Sequence, residues 1–304
     1  MNRADHHHHH HAPPDYSRAF AAGVALNLVF VVIEAVFGIL SDSLALLTDA
    51  GHNLSDVLGL LLAWGAAALA RRQPSPRRTY GYSRATIIAS LFSGLLLMGA
   101  VGAIGWEAVN RLFEPAQPAG RTIMIVAAIG VVVNTATALF FLSGKDRDLN
   151  IRGAFLHMAA DAAVSLGVVA SGAAILWFGY GWIDPVISLV IAAVIFLSTW
   201  GLLRDSLNLA VDAVPRNVDP EAVRGYLSAL PGVQAIHDLH IWPLSTTDTA
   251  LTAHLVMDAF PVDDCFLNDI AVALMERFGI NHPTIQLERR GSDVVCHQAL
   301  HCAE

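Results

Sequence analysis

Two apolar stretches of this sequence carry residues that hydrocarbon ought to exclude. One holds Asp49, His52, Asn53 and Asp56, and another holds His157 and Asp161. An ionisable side chain in a membrane-spanning helix costs several kcal/mol unless it faces a cavity, a partner or a bound ion, so such residues mark function by default. His52 and Asp56 are four residues apart, as are His157 and Asp161. That spacing projects both members of a pair from one helical face on successive turns. Two such helices face to face offer two imidazoles and two carboxylates, a set that suits tetrahedral zinc. Two neutral histidines and two carboxylates sum to minus two, which a divalent cation cancels, leaving a loaded site near neutrality in a medium that penalises net charge. The competing reading is that the four only hydrogen-bond between helices. Asn, Ser or Thr would do that at a smaller desolvation cost.

Around these four stand further polar residues. Asp49 lies one turn before His52, placed either as an alternative ligand or as a hydrogen-bond partner that fixes the imidazole, and the second role is expected. Glu34, Asn27 and Asn134 also sit in apolar stretches, where helix-to-helix hydrogen bonding or cavity lining is expected of them. Towards the C-terminus come His237, His240, His254, His282, His297 and His301, with Glu288 and three cysteines, Cys265, Cys296 and Cys302. On a regular strand, His237 and His240 point to opposite faces, so they are not expected to share an ion. The run Cys296-His297 followed by His301-Cys302 offers soft ligands, or else is an incidental tail. Cys265 reads as an ordinary helix residue. The six histidines His6–His11 are either an expression tag or a native metal buffer.

The elements that must position these groups follow from composition. Over 304 residues, 55% are hydrophobic and only 14% charged, too little polar surface for one soluble globule. Six apolar blocks are long enough to span a bilayer: Phe20–Leu40, Leu44–Ala70, Ala85–Ala108, Thr122–Ser143, Ala154–Phe178 and Ile183–Leu203. Arg71, Arg72, Arg77, Arg78 and Arg84 crowd the second connector, and Lys145, Arg147 and Arg152 the fourth. The other connectors carry few basic residues, so the positive-inside rule places both termini in the cytoplasm. No removable signal peptide is expected. From about Asp205 the composition turns soluble. Asp219–Leu230 reads as a helix, Ala235–Leu244 and Thr249–Asp258 as strands, Asp263–Phe278 as a second helix and Thr284–Arg289 as a third strand. That order predicts a small two-layer α+β domain with its sheet covered on one face. The expected division is a histidine-rich N-terminus at 1–17, a six-helix transmembrane domain at 18–204 and a cytosolic domain at 205–304. A net charge of −8 speaks against a nucleic-acid partner, and an odd number of cysteines speaks for reduced thiols in cytosol.

The run from Ser41 to Asp56, SDSLALLTDAGHNLSD, together with Leu156-His157-Met158-Ala159-Ala160-Asp161, resembles the cation diffusion facilitator family, in particular its zinc/cadmium/cobalt resistance branch. Tyr80-Gly81-Tyr82, Asp184-Pro185 and His237-Asp238-Leu239-His240-Ile241-Trp242 extend the likeness over nearly the whole chain. The resemblance implies an α-helical membrane protein with six transmembrane helices and a ferredoxin- or metallochaperone-like α+β cytosolic domain. It implies a homodimeric antiporter in the inner membrane, exporting Zn2+ in exchange for protons, with Cd2+ and Co2+ as companions. His52, Asp56, His157 and Asp161 match the family's transport site. His237, His254 and Glu288 match a regulatory zinc site near the dimer interface, to which Cys296 and Cys302 would add. Where some relatives carry a histidine in the last strand this sequence has Gln286, which leaves the coordination number open. Two other classes compete: an intramembrane metalloenzyme, for which no H-E-x-x-H motif occurs, and a membrane-anchored metal sensor without flux.

Overall fold

The computed structural model describes residues 17–114, 117–142, 149–259 and 265–290. Six long helices come first: α1 (Ser17–Leu40), α2 (Leu44–Ala70), α3 (Ala85–Phe113), α4 (Gly120–Phe141), α5 (Leu149–Phe178) and α6 (Ile183–Ala210). By length and composition α2, α3, Gly120–Leu139 of α4, Phe155–Phe178 of α5 and α6 can each cross a bilayer. Among the described residues α1 contributes a shorter apolar piece, Ala25–Leu40, so five of the six expected spans meet the length requirement. Several helices outrun their apolar blocks, α3 to Phe113 and α6 to Ala210. The apolar run is limited by the hydrocarbon and the helix is not. Beyond Ala108, α3 continues on a Glu107–Arg111 pair at 3.0 Å, one turn apart.

Two compact units divide the chain. The first takes in α1, α2 to Val57, α3 from Ala100, α4, α5 and α6 to Ile195. Its helices approach closely where side chains are smallest. A Cβ added to Gly172 of α5 would lie 2.7 Å from the backbone nitrogen of Met124 and 2.9 Å from the Gly120 carbonyl oxygen of α4. One added to Gly130 of α4 would lie 2.6 Å from the ring of Phe30 on α1. Small residues serve this purpose in lipid, where helices gain from van der Waals contact and not from expelling water. Large apolar side chains such as Leu40, Val132 and Trp177 point outward, as lipid-facing positions require.

The second unit holds α2 from Leu58, α3 to Gly99, α6 from Phe196 and the C-terminal domain. Ser90 and Ser206 join α3 to α6 at 2.8 Å, and Arg84 pairs with Asp212 at 2.6 Å. Then follow α7 (Pro220–Ser228), β1 (Val233–Pro243), β2 (Thr249–Met257), α8 (Cys265–Phe278) and β3 (His282–Arg289). The order is the expected one. Asp219 caps α7 by accepting from the amides of Glu221 and Ala222, with Pro220 in the first turn where its missing N–H costs nothing. The sheet order is β1-β2-β3, with β1 and β2 antiparallel and β2 and β3 parallel. Leu251, Ala253 and Leu255 of β2 share a core with Val223 and Leu227 of α7 and Ile270 and Leu274 of α8. The alternate residues Thr252, His254 and Val256 therefore face the other side.

Gly172→Ala forces a backbone atom to shift and is expected to cost about 1–3 kcal/mol. Gly167→Ala, in the same helix with nothing within 4 Å of the added carbon, is expected to be neutral or stabilising. Thermal unfolding of the detergent-solubilised protein checks this contrast.

Candidate metal centre

The start of α2 is fixed from a distance. Asp42 takes a left-handed conformation (φ 51°) in the turn after α1. The carboxylate of Asp184, on α6, then accepts from Ser43 Oγ at 2.6 Å, from the Leu44 amide at 2.6 Å and from the Ala45 amide at 3.4 Å. A buried carboxylate at a helix N-terminus satisfies amides that have no partner within the helix, and its charge lies at the positive end of the dipole. Arg111 of α3 ties the same turn down, reaching both the carbonyl and the carboxylate of Asp42 at 2.9 Å. Two turns further along α2 comes His52.

There the two expected pairs meet. His52 Nε2 lies 3.6 Å from Asp56 and 3.5 Å from Asp161, while His157 Nε2 lies 3.3 Å from Asp56 and 3.7 Å from Asp161. The two imidazoles are edge to face, their centroids 6.2 Å apart. A tetrahedral zinc ion with bonds of about 2.0–2.1 Å separates its ligand atoms by about 3.3 Å. The observed nitrogen-to-oxygen distances are thus within a few tenths of an ångström of a coordination shell. One ligand atom from each of His52, Asp56 and Asp161 lies within 4.8 Å of the others. Asp161 is buried, whereas 44% of the His157 side chain is exposed, which makes His157 the open side of the site. His52 Nδ1, Asp56 Oδ2 and Asp161 Oδ2 are buried without a hydrogen-bond partner among the described residues. Buried polar atoms left unpaired are expensive, and a cation is one remedy.

Asp49 departs from expectation. Its Oδ2 accepts from Ser165 Oγ of α5 at 2.8 Å, and no hydrogen bond to His52 forms among the described residues. Three residues along a helix fall about 60° short of a full turn, enough to turn Asp49 to a neighbouring helix. This contact ties α2 to α5. Glu34 and Asn53, 3.5 Å apart, link α1 to α2 as interhelical polar contacts were expected to.

The C-terminal domain forms a second cluster. Glu288 of β3 bridges two imidazoles, with His237 Nε2 at 2.9 Å and His254 Nδ1 at 2.7 Å. Ligand atoms of the three lie within 4.8 Å of one another. Gln286 sits opposite His254 in the sheet and donates to Glu288 at 3.0 Å, so it supports the carboxylate. The expected opposition of His237 and His240 does not hold. His237 pairs with His254 and His240 with Thr252, so two residues of β1 oppose one of β2. This bulge resets the alternation and puts both histidines on one face. Its residue Asp238 has φ 52°, a conformation Asp tolerates better than most. His240 is nonetheless kept off the cluster by its bond to Asp238 at 2.9 Å. Asp238 also lies 3.6 Å from His254, a neighbour that sequence reasoning missed and that an Asp between two histidines could have signalled. Cys265 opens α8 and is exposed. Cys296, Cys302 and His6–His11 lie outside the described residues.

Comparison with known proteins decides the family. Residues 20–209 match the cation efflux transmembrane domain, and residues 215–290 match the cytoplasmic domain of cation efflux proteins. The chain belongs to the cation efflux family. The cation efflux system protein CzcD of Alcaligenes sp. (strain CT14) is 37% identical over 277 residues, 91% of this chain and 88% of that protein. A cadmium, cobalt and zinc/H(+)-K(+) antiporter of Bacillus subtilis is 36% identical over 264 residues, 85% of each chain. Zinc transporter ZitB of Escherichia coli is 33% identical over 271 residues, 88% of this chain and 86% of that protein. A solved metal-bound C-terminal domain of the CzcD transporter from Cuprividus metallidurans is 39% identical and covers 23% of this chain and 99% of its own, with a TM-score of 0.22. Cation efflux proteins are multi-pass membrane transporters and not enzymes, which removes the metalloenzyme alternative.

Asp184→Ala leaves the α2 amides without their acceptor and is expected to cost about 2–3 kcal/mol, with Asp184→Asn costing less because it still accepts. Equal losses of thermal stability in the two variants would show that the charge, and not the accepting oxygen alone, carries the cap.

Proposed function

We propose that this cation efflux protein is a secondary active transporter that exports Zn2+, with Cd2+ and Co2+ as companion substrates, in exchange for protons. The observation that carries the reading is the convergence of His52, Asp56, His157 and Asp161 from α2 and α5, with nitrogen-to-oxygen distances of 3.3 to 3.7 Å. Two imidazoles favour zinc-like ions over harder cations such as Mg2+ or Mn2+. The printed names of two relatives, a zinc transporter and a cadmium, cobalt and zinc antiporter, support the same substrates. Protons couple through the ligands themselves, because a metal-binding imidazole or carboxylate must shed its proton and a proton arriving from outside competes for the same atom. Asp49 lies beside this set as a positioning residue.

In this reading residues 18–204 form the transport domain, embedded in the inner membrane. Both termini face the cytosol, as the basic connectors Arg71–Arg84 and Gly144–Arg152 argue. Residues 205–304 form a cytosolic domain through which two copies pair. His237, His254 and Glu288 would hold a regulatory zinc ion there, with Cys296 and Cys302 as further candidates. The chemistry fits, since three nitrogen and oxygen donors already converge and Glu288 links both rings.

Liposomes containing the purified protein and a zinc dye test the transport reading. Uptake driven by a pH gradient is expected in wild type and is expected to fall at least tenfold in Asp56→Ala and His157→Ala. Folded wild type that binds zinc without flux would make the C-terminal domain the functional centre and the protein a sensor. Zinc addition is also expected to release protons from wild type, and release that persists unchanged after replacement of both His52 and His157 would sink the coupling.

A further inference from the structure

One crevice lies apart from both metal clusters. It opens where α2 and α3 leave the apolar region, between Leu61–Leu69 on α2 and Ile88–Phe92 on α3, and has a volume of about 840 Å³. Leu61, Ile88 and Phe92 are each more than half exposed, so its apolar walls stand open. From Leu61 to Leu69 is eight residues, roughly 12 Å along the helix, comparable with the roughly 15 Å depth of one bilayer leaflet. Arg77 and Arg78, from the connector that joins the two helices, line it as well.

The connector that supplies them, Arg71–Arg84, contains five arginines and no acidic residue. Among the described residues only Arg84 is neutralised, by Asp212. Arg71, Arg72, Arg77 and Arg78 are exposed, and none forms an ion pair with a carboxylate among the described residues. Arg78 is held in place by stacking on the Tyr82 ring, 4.6 Å from its centroid, and by a hydrogen bond to the Tyr82 hydroxyl. An oriented guanidinium without a counter-charge, at the polar end of an apolar slot of leaflet depth, complements one class of molecule in both charge and shape. Guanidinium recognises phosphate through paired N–H donors, and basic pockets at the cytoplasmic ends of membrane helices take anionic headgroups.

We propose that this crevice binds an anionic phospholipid, with its phosphate on Arg77 and Arg78 and an acyl chain between α2 and α3. Trp242 of β1 lines the same crevice, so the lipid would touch the strand that carries His237 as well as two membrane helices. The ligand is a lipid and not free phosphate, because most of the lining is apolar.

Delipidated full-length protein, mixed with equal amounts of phosphatidylglycerol and phosphatidylcholine of matched chains, tests this by native mass spectrometry. Wild type is expected to retain phosphatidylglycerol at least tenfold over phosphatidylcholine. The variant R77Q/R78Q is expected to bring the two near parity. Ala89→Phe, which fills the crevice and keeps the arginines, is expected to lower retention of phosphatidylglycerol at least fivefold. Equal binding by wild type, a preference unchanged in R77Q/R78Q, or displacement of the lipid by millimolar inorganic phosphate would each overturn the proposal. So would a photo-crosslinker at position 92 that captures a second copy of the chain in place of lipid.

Discussion

A carboxylate cannot rest in hydrocarbon without N–H donors, a cation or a hydroxyl to answer it, and this protein distributes its membrane acids among those answers. Asp184 receives two amides and a hydroxyl at the head of α2. Asp49 receives Ser165. Among the described residues Asp56 and Asp161 face the two histidines, and each keeps a buried oxygen without a hydrogen bond. The first two acids hold helices in place, and the last two are the pair proposed to meet a cation. The position of the second pair depends on the first, since the cap and the Ser165 contact fix α2 along its axis and about it.

The C-terminal domain reaches a comparable arrangement by another route. A regular β1 would have turned His237 and His240 to opposite faces. One extra residue, accommodated by the left-handed Asp238, shifts the alternation and lets Asp238 keep His240 away from Glu288. The sheet buries Leu251, Ala253 and Leu255 beneath the helices, and the opposite face carries the polar His254 and Glu288. The same strands thus make a core on one side and a candidate ligand set on the other.

Much of this was legible in the sequence, for identifiable reasons. Hydropathy placed α2 to the residue, because its apolar run ends at Ser43 on one side and Arg71 on the other. The i, i+4 pairs needed only helical periodicity and desolvation cost to be singled out, and the element order of the C-terminal domain followed from periodicity and the Asp-Pro cap. What escaped were contacts between residues remote in sequence. Nothing local tells that Asp184 seeks amides 140 residues earlier, or that Asp49 prefers Ser165 to its neighbour His52. The bulge escaped as well, since strand parity assumes an unbroken ladder.

In the proposed transport site, the division of the four membrane ligands between two helices has a mechanical consequence. Neither α2 nor α5 carries more than half the donors, so the affinity of the site measures how well the two helices are in register. A slide of one helix by a single residue, about 1.5 Å, changes each cross-helix distance by as much as a metal bond can tolerate. In that reading, release requires no unfolding and no large opening, only a small loss of alignment. The proposed grip on the ion then works as a gauge of helix position, and whatever moves α2 against α5 sets how tightly the metal is held.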